Sequence, residues 1–255
     1  MHVSTITESN LHLHPQVICF INPKHPAYHL KIDWLKERFR EGMVIKLLYL
    51  EDKKRPAGFI EYVPGDQCWR GVHAPGYLFI HCIWISASKD KKRGYGSMLV
   101  KDCISEAEKG GLNGVAAMVS ESSFMADRTL FMKNGFRIAM SDKPYDLVVR
   151  TFRENVQDPV FTDWRSQLSK YQGLHILWSK QCPWVARFVE EIRDKLIVLY
   201  PGVTFTEMKT PAEAQQAPSP YAVFNLVYNG RLLADHYISE TRLMNILKKE
   251  KLISS

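Results

Sequence analysis

A basic stretch with two glycines near the middle of the chain has the composition of a phosphate-binding loop. It follows the apolar run Tyr77–Ile85, and its candidate residues are Lys91, Lys92, Arg93, Gly94, Tyr95, Gly96 and Ser97. Successive backbone N–H groups and the positive end of a following helix form a favourable site for a pyrophosphate. Glycine lets the backbone approach the anion closely, and arginine binds phosphate through parallel hydrogen bonds. The stretch therefore predicts a phosphate site, with an ordinary strand-to-helix turn as the alternative.

The elements around this loop must hold it in place. Residues 77–85 are rich in the aromatic and β-branched residues that favour strands, and residues 96–109 have apolar residues at helical spacing before two glycines. Further strands are predicted at residues 17–20, 44–50, 58–63, 114–119, 136–140 and 146–151, and helices at residues 28–39 and 125–134. Strands and helices alternate, so the predicted fold class is α/β, with α+β character.

Two spaced motifs in this region resemble those of the GNAT acetyltransferase family. They read Lys91-x-x-Gly94-x-Gly96 and Ala126-x-x-x-x-Phe131-x-x-x-Gly135-Phe136. The resemblance implies a mixed central sheet flanked by helices and acetyl-CoA as the cofactor. It also implies that the loop amides bind the CoA pyrophosphate. The preceding strand would splay from its neighbour and hold the pantetheine arm along the backbone of Ile83, Trp84 and Ile85.

The chain departs from the family pattern at two positions. Lys91 stands where the family has glutamine or arginine, a mild change because the backbone binds the phosphates. Phe131 stands where many members have a tyrosine that protonates the leaving thiolate, and a phenyl ring has no proton to give. Ser122 and Ser123 are candidate replacements, and helix capping is the other explanation for them. A CoA thiolate also leaves readily without an acid.

An attacking amine must lose a proton, so a group that titrates near neutral pH is useful. His81 lies in the strand before the loop and has a suitable side chain, but its apolar neighbours fit a core histidine equally well. Glu61 in the preceding strand is the second candidate, with a solvent-facing carboxylate as its alternative. A chain of water molecules is the third possibility.

A second block of elements follows a polar segment. Strands are predicted at residues 174–178, 203–208, 221–228 and 231–236, and helices at residues 183–196, 211–215 and 239–248. Cys182 stands where the first of these helices begins, a place that stabilises a thiolate. The order of elements, Trp178 before this cysteine and Pro220 before a strand resemble the thioredoxin fold, in which a cis-proline faces the active cysteine.

This block lacks the second thiol of a CxxC pair, because Val185 occupies that position. Cys182 is therefore a single-thiol candidate or a buried structural cysteine. The whole arrangement resembles GNAT proteins with a YoaP-like C-terminal domain. The expected organisation is a GNAT domain at 1–151, a linker at 152–172 and a smaller thioredoxin-like α/β domain at 173–255.

Composition restricts the class of protein. The net charge of +7 comes without an arginine-rich arm or a nucleic-acid-binding motif, so we expect no nucleic-acid partner. No apolar run reaches the length of a membrane span, and the N-terminus lacks a secretory signal. Five irregularly spaced cysteines fit reduced thiols in the cytoplasm. We expect no metal and a monomer or homodimer.

These observations predict an N-acetyltransferase that moves an acetyl group from acetyl-CoA to an amine of a small molecule or peptide by direct attack. One alternative is a thiol-binding or redox protein that acts through Cys182 and senses CoA. The other is a non-catalytic interaction module, suggested by Phe131. The sequence does not identify the acceptor.

Overall fold

The computed structural model describes residues 1–15, 21–51, 54–121 and 125–253. It divides the chain into two compact units. Unit 1 comprises Met1–Pro23, Leu35–Cys68 and Val72–Phe161, and unit 2 comprises Lys24–Trp34, Trp69–Gly71 and Thr162–Ser255. Unit 2 therefore includes two segments from the N-terminal half. The domain limits drawn from the sequence remain a prediction.

Unit 1 is built on a mixed seven-stranded sheet, in the order β1-β2-β3-β5-β6-β8-β7. Only β5 and β6 are parallel, and all other neighbours are antiparallel. The strands are β1 (His2–Ile6), β2 (Val44–Tyr49), β3 (Gly58–Pro64), β5 (Tyr77–Ile85), β6 (Gly114–Ser120), β7 (Arg137–Asp142) and β8 (Tyr145–Thr151). The short strands β4 (Val72–His73) and β9 (Val160–Phe161) pair separately.

Unit 1 contains the helices α2 (Tyr95–Lys109) and α3 (Arg128–Met132), and α1 (Pro26–Arg40) has residues in both units. Helix α2 buries Leu99, Val100, Cys103 and Ile104 against the large sheet, so the loop before α2 starts from a fixed support. The apolar spacing that predicted this helix is the face that it buries.

A partly buried charged cluster adds to this packing. Lys46 of β2 pairs with both Asp102 and Glu106 of α2, and the Tyr62 hydroxyl of β3 donates to Glu106. Burial and the hydrogen bond to Glu106 raise the pKa of Tyr62, so its hydroxyl stays protonated. Burial opposes the charge of Lys46, but the hydrogen bonds to the two carboxylates raise its pKa overall. Polar contacts thus connect α2 to two strands.

Unit 2 has a four-stranded sheet in the order β11-β10-β12-β13, with only β10 and β11 parallel. Helix α5 packs on it through a fully apolar face that includes Val185, Val189 and Leu196. The elements of this unit are α4 (Trp164–Leu168), β10 (Leu174–Trp178), α5 (Pro183–Leu199), β11 (Thr204–Glu207), α6 (Pro211–Gln215), β12 (Phe224–Tyr228), β13 (Arg231–Ala234) and α7 (Glu240–Lys249).

The predicted α/β class and the predicted order of elements are confirmed, and several bounds differ. Helix α3 is shorter than predicted because Asp127 caps it, accepting a hydrogen bond from Thr129 N at 2.8 Å. Strand β12 begins three residues later than predicted because Ala222 has a positive φ of 64°, which extended backbone does not allow. Strands β1, β4 and β9 and helix α4 were not predicted from the sequence. The strand predicted at 17–20 lies outside the described residues.

No helix in the described part of the chain combines the length and apolar content that spanning a membrane requires. Among the described residues, Cys68, Cys82, Cys103 and Cys182 form no disulfide bonds. Burial raises the pKa of the Cys103 thiol well above its usual range, which fits a cysteine that only fills the core.

Candidate cofactor-binding site

The loop between β5 and α2 has the backbone of an anion-binding turn. A short 3₁₀ turn at Ser88–Asp90 leads to Lys92, whose φ is 61°, and then to Gly94, whose φ is 85°. Gly94 caps α2 with no side-chain hydrogen bond, so the first N–H groups of the helix have no capping side chain. Left-handed residues before a helix turn successive N–H groups toward one side, which favours an anion there.

The two glycines of the loop have different surroundings. A Cβ added to Gly94 would meet no atom within 4 Å, so the space above this residue is open. A Cβ added to Gly96 would come within 3.3 Å of Leu130 Cδ1, on the side of α3. Gly94 thus leaves room for a ligand, whereas Gly96 allows α2 and α3 to pack closely.

The three cations of the loop are exposed but make different contacts. Lys91 Nζ lies 4.7 Å from the centroid of the Trp84 ring. Arg93 Nη1 lies 4.0 Å from Asp90 Oδ1, which is buried beneath the loop. Lys92 has a left-handed backbone conformation, with a φ of 61°. The loop surface is therefore positive, with one carboxylate below it.

Strands β5 and β6 separate next to this loop. They pair from Tyr77 opposite Gly114 to Ile80 opposite Ala117. Beyond this point β5 stays paired with β3 and β6 stays paired with β8, and no further pairing joins β5 to β6. The sheet therefore has a gap between the carboxyl ends of its two parallel strands.

The pairing of β5 with β3 decides which backbone groups face this gap. Ser86 N donates to Ala57 O at 2.8 Å, and Trp84 lies opposite Phe59. Because successive residues of an antiparallel pair point their N–H and C=O groups to opposite sides, Ile83 and Ile85 direct theirs away from β3. The amides of Ile83 and Ile85 thus face the gap, whereas the Trp84 amide faces β3.

His81 and Glu61 lie together where the gap begins. Glu61 is opposite Cys82 and Tyr62 is opposite Ile80, so His81 is the extra residue of a β-bulge. His81 Nδ1 is 3.6 Å from Glu61 Oε1, and their side chains are only 0% and 5% exposed. The predicted solvent-facing alternative for Glu61 is therefore wrong. The bulge places the side chains of His81 and Glu61 in the interior, at the point where β5 and β6 separate.

Phe131 stands at the position of the expected general acid, and Ser122 and Ser123 are its candidate replacements. Phe131 is fully buried and packs edge-to-face on Phe136, with ring centroids 5.1 Å apart. Ser122 and Ser123 lie outside the described residues. The N-cap of α3 is Asp127.

Sequence reasoning missed a buried amide that supports the loop. Asn134 is 4% exposed, and its Nδ2 donates to Ser97 Oγ at 3.0 Å and to Leu130 O at 2.7 Å. It therefore connects the first turn of α2 to α3. The only available signal was its position before Gly135-Phe136 in the second motif.

Cys182 occupies the predicted N-cap of α5 and is partly buried. The adjacent Gln181 is buried and accepts a hydrogen bond from Arg70, whose guanidinium also stacks 4.8 Å from the Tyr221 ring. Among the described peptide bonds the cis one is Lys143–Pro144, so the bond before Pro220 is trans, unlike that of thioredoxins. The thioredoxin-like description stays a prediction.

Two family matches cover separate parts of the chain. The acetyltransferase (GNAT) family matches residues 12–136, which include β5, the loop, α2 and α3. The YoaP-like family matches residues 203–245. The uncharacterized N-acetyltransferase YoaP of Bacillus subtilis (strain 168) is 27% identical over 258 residues, covering 98% of this chain and 97% of the relative.

Solved structures of acetyltransferases show weaker overall similarity. The PaiA N-acetyltransferase of Thermoplasma acidophilum, solved with coenzyme A, is 12% identical with a TM-score of 0.42, covering 60% of this chain and 100% of that chain. A Bacillus anthracis protein solved with acetyl coenzyme A is 20% identical with a TM-score of 0.36, covering 44% of this chain and 63% of that chain.

These matches give no support to the thiol-redox alternative. Residues 12–136 form an acetyltransferase domain of the GNAT family, and residues 203–245, which follow in the sequence, belong to a YoaP-like domain.

Proposed function

We propose that unit 1 binds acetyl-CoA between the β5–α2 loop and the gap in the sheet, and transfers its acetyl group to an amine of a small molecule or peptide. The observation that carries this proposal is the open space at Gly94, at the uncapped start of α2. A pyrophosphate needs close approach to backbone N–H groups, and this position offers it. The relatives solved with CoA or acetyl coenzyme A support the same ligand.

The gap beside the loop suits the acyl end of this ligand. Bound acetyl-CoA supplies an activated thioester. We expect the Ile83 or Ile85 N–H to donate a hydrogen bond to the thioester carbonyl, because both amides face the gap. Such a donor stabilises the negative charge that grows on the oxygen during attack. The apolar side chains of both residues contact the core, so the donors are held in place.

Proton removal falls to the buried pair at the bulge. We expect His81 to accept the amine proton through a water molecule, since its side chain is enclosed in the interior. Glu61, at 3.6 Å, stabilises the resulting imidazolium. Phe131 gives no proton to the leaving thiolate. We therefore expect the thiolate to leave unprotonated or to take its proton from water.

Calorimetric titration of the full chain with acetyl-CoA tests the binding proposal, with CoA and adenosine as controls. We expect acetyl-CoA and CoA to bind with similar affinity, because both carry the pyrophosphate, and adenosine to bind weakly or not at all. Equal binding of adenosine would contradict the loop assignment. Absence of acetyl-CoA binding would overturn the proposed function.

The catalytic pair is tested by His81→Gln and Glu61→Gln. After a panel of primary amines and peptides has identified an acceptor by CoA release, each variant should lower kcat about 100-fold. The affinity for acetyl-CoA should stay unchanged, because neither residue lies in the phosphate loop. An unchanged kcat in both variants would assign proton removal to water alone.

A further inference from the structure

Lys91 is held by an aromatic ring and not by a carboxylate. Its ammonium group lies 4.7 Å from the centroid of the Trp84 ring, whereas Arg93 in the same loop lies 4.0 Å from the Asp90 carboxylate. A carboxylate partner cancels much of a cation's field, and a neutral ring does not. Lys91 is thus restrained but keeps its charge for an anion.

Trp84 does not belong to the core cluster of unit 1. Ile83 and Ile85 on either side of it contact the core cluster that includes Leu99 of α2. Because side chains alternate along a strand, Trp84 points to the other face, where 37% of it is exposed. An exposed tryptophan at the mouth of the proposed phosphate site calls for another role, and Lys91 is its neighbour there.

A lysine in an exposed loop loses side-chain conformational entropy when it binds an anion. Its four-carbon stem has many rotamers, and ordering it costs free energy each time a ligand binds. A ring that already restrains the stem removes part of that cost before the ligand arrives. Lysine stands at this position, where the family motif has glutamine or arginine.

We propose that Trp84 is a positioning residue that holds Lys91 in place for a phosphate group of acetyl-CoA. The inference rests on the proposed function, and it adds a role for a side chain whose amide faces β3 and not the gap. Trp84 acts through Lys91, so its contribution disappears when Lys91 is absent.

A double-mutant cycle tests this role. The Kd of acetyl-CoA is measured by calorimetry at two salt concentrations for the native chain, Trp84→Leu, Lys91→Met and the double variant. We expect Lys91→Met to weaken binding about tenfold and Trp84→Leu about two- to fivefold. The double variant should be no weaker than Lys91→Met alone, and both single variants should reduce the salt dependence of the Kd.

Two further variants keep the cycle decisive. Trp84→Phe retains an aromatic ring and should keep most of the affinity, so a general packing role is separable from the contact with Lys91. Trp164→Leu removes another ring that faces a cation, Arg165 at 4.2 Å in unit 2, and should leave the Kd unchanged.

The outcomes separate this inference from the proposed function. If the native chain binds acetyl-CoA but the effects of Trp84→Leu and Lys91→Met multiply, Trp84 does not act through Lys91 and the inference is wrong. Weaker acetyl-CoA binding by Trp84→Leu with an unchanged salt dependence of the Kd would also overturn the inference. If the native chain fails to bind acetyl-CoA, the proposed function fails, and the inference fails with it.

Discussion

Each unit contains a strand that leads through a loop into a long helix, and the two helix starts are built in opposite ways. In unit 1, α2 starts after Gly94, which has a φ of 85° and open space where a side chain would be. In unit 2, α5 starts after Cys182, which has a φ of −101° and is followed by Pro183. Beside it the buried Gln181 accepts a hydrogen bond from Arg70.

Under the proposed function, the helix start at Gly94 receives a ligand, whereas the chain's own side chains fill the helix start at Cys182. The free N–H groups and the dipole attract an anion in both cases. Around Gly94 the loop supplies exposed cations and no capping side chain. Around Cys182 a proline, a buried amide and a guanidinium occupy the surroundings. We therefore expect the same local arrangement to serve binding in unit 1 and packing in unit 2.

The largest expected effect comes from adding a methyl group at the open helix start. Gly94→Ala should weaken acetyl-CoA binding about 10- to 100-fold, because its Cβ displaces the phosphate from charged hydrogen bonds with the backbone. Gly173→Ala is the matched control, since Gly173 has a φ of 82° and no atom within 4 Å of an added Cβ. Both variants should lose about 1–2 kcal/mol of stability from the left-handed backbone.

Calorimetry and thermal unfolding with and without acetyl-CoA measure both quantities. Only Gly94→Ala should lose the stabilisation by the ligand. A similar loss of affinity in Gly173→Ala would show that the effect is general destabilisation, and the contrast between the two helix starts would fail.

A smaller effect is expected at the filled helix start. Arg70→Met should lower the free energy of unfolding by about 2 kcal/mol, because the buried Gln181 carbonyl loses a charged donor. Arg187→Met is the control on the same helix, where the ion pair with Glu191 is exposed, and we expect a change within about 0.5 kcal/mol. Urea unfolding measures both variants, and equal values for the two would mean that Arg70 does not support this terminus.

The smallest effect concerns the contacts that attach helices α2 and α5 to their sheets. Helix α2 is tied to the sheet by Lys46, whereas α5 packs through apolar side chains. Lys46→Met should lower the free energy of unfolding by about 1–2 kcal/mol at neutral pH. The expected loss is this small because Asp102 and Glu106 are each 39% exposed, so solvent screens their ion pairs with Lys46. The matched control is Lys195→Met, which breaks an exposed pair with Glu240 and should change stability by no more than about 0.5 kcal/mol.

The same variant has a signature in pH. Because the pKa of Lys46 is raised in the folded chain, its contribution is complete below the ordinary value of 10.5 and is lost as pH rises through the folded value. The native chain should therefore lose stability in alkali by more than Lys46→Met does. Parallel stability curves for the two chains above pH 10 would contradict this role for Lys46.

Local signals predicted the elements well where the signal was strong. Tyr77–Ile85 and Leu174–Trp178 have the predicted bounds because each is a nearly continuous apolar run that contains β-branched and aromatic residues. Strand β1 was missed because its sequence, His-Val-Ser-Thr-Ile, has little apolar content and it forms the edge of the sheet. The composition of such a strand does not separate it from a loop, and only its pairing with β2 forms it.

The candidate site was predictable in its loop but not in its interior. The basic and glycine residues of the loop stand next to each other in the sequence, so their spacing predicted a site for an anion. Glu61 and His81 belong to different strands, and a register shift of one residue decides whether they meet. The roles of Asn134 and Trp84 depend on contacts with Ser97 and Lys91 that no pattern along the chain displays.

By itself the sequence determined the order of the longer helices and most strands and the position of the basic, glycine-containing loop, because these depend on side chains close together in the chain. Only the tertiary structure decided that β5 separates from β6 after Ile80 and that the bulge at His81 brings it close to Glu61. It also decided that the space beside Gly94 is open, whereas Gly96 packs against α3. These features arise from pairing and packing between distant segments. Their free energy depends on the relative placement of whole strands and helices, which local spacing does not encode.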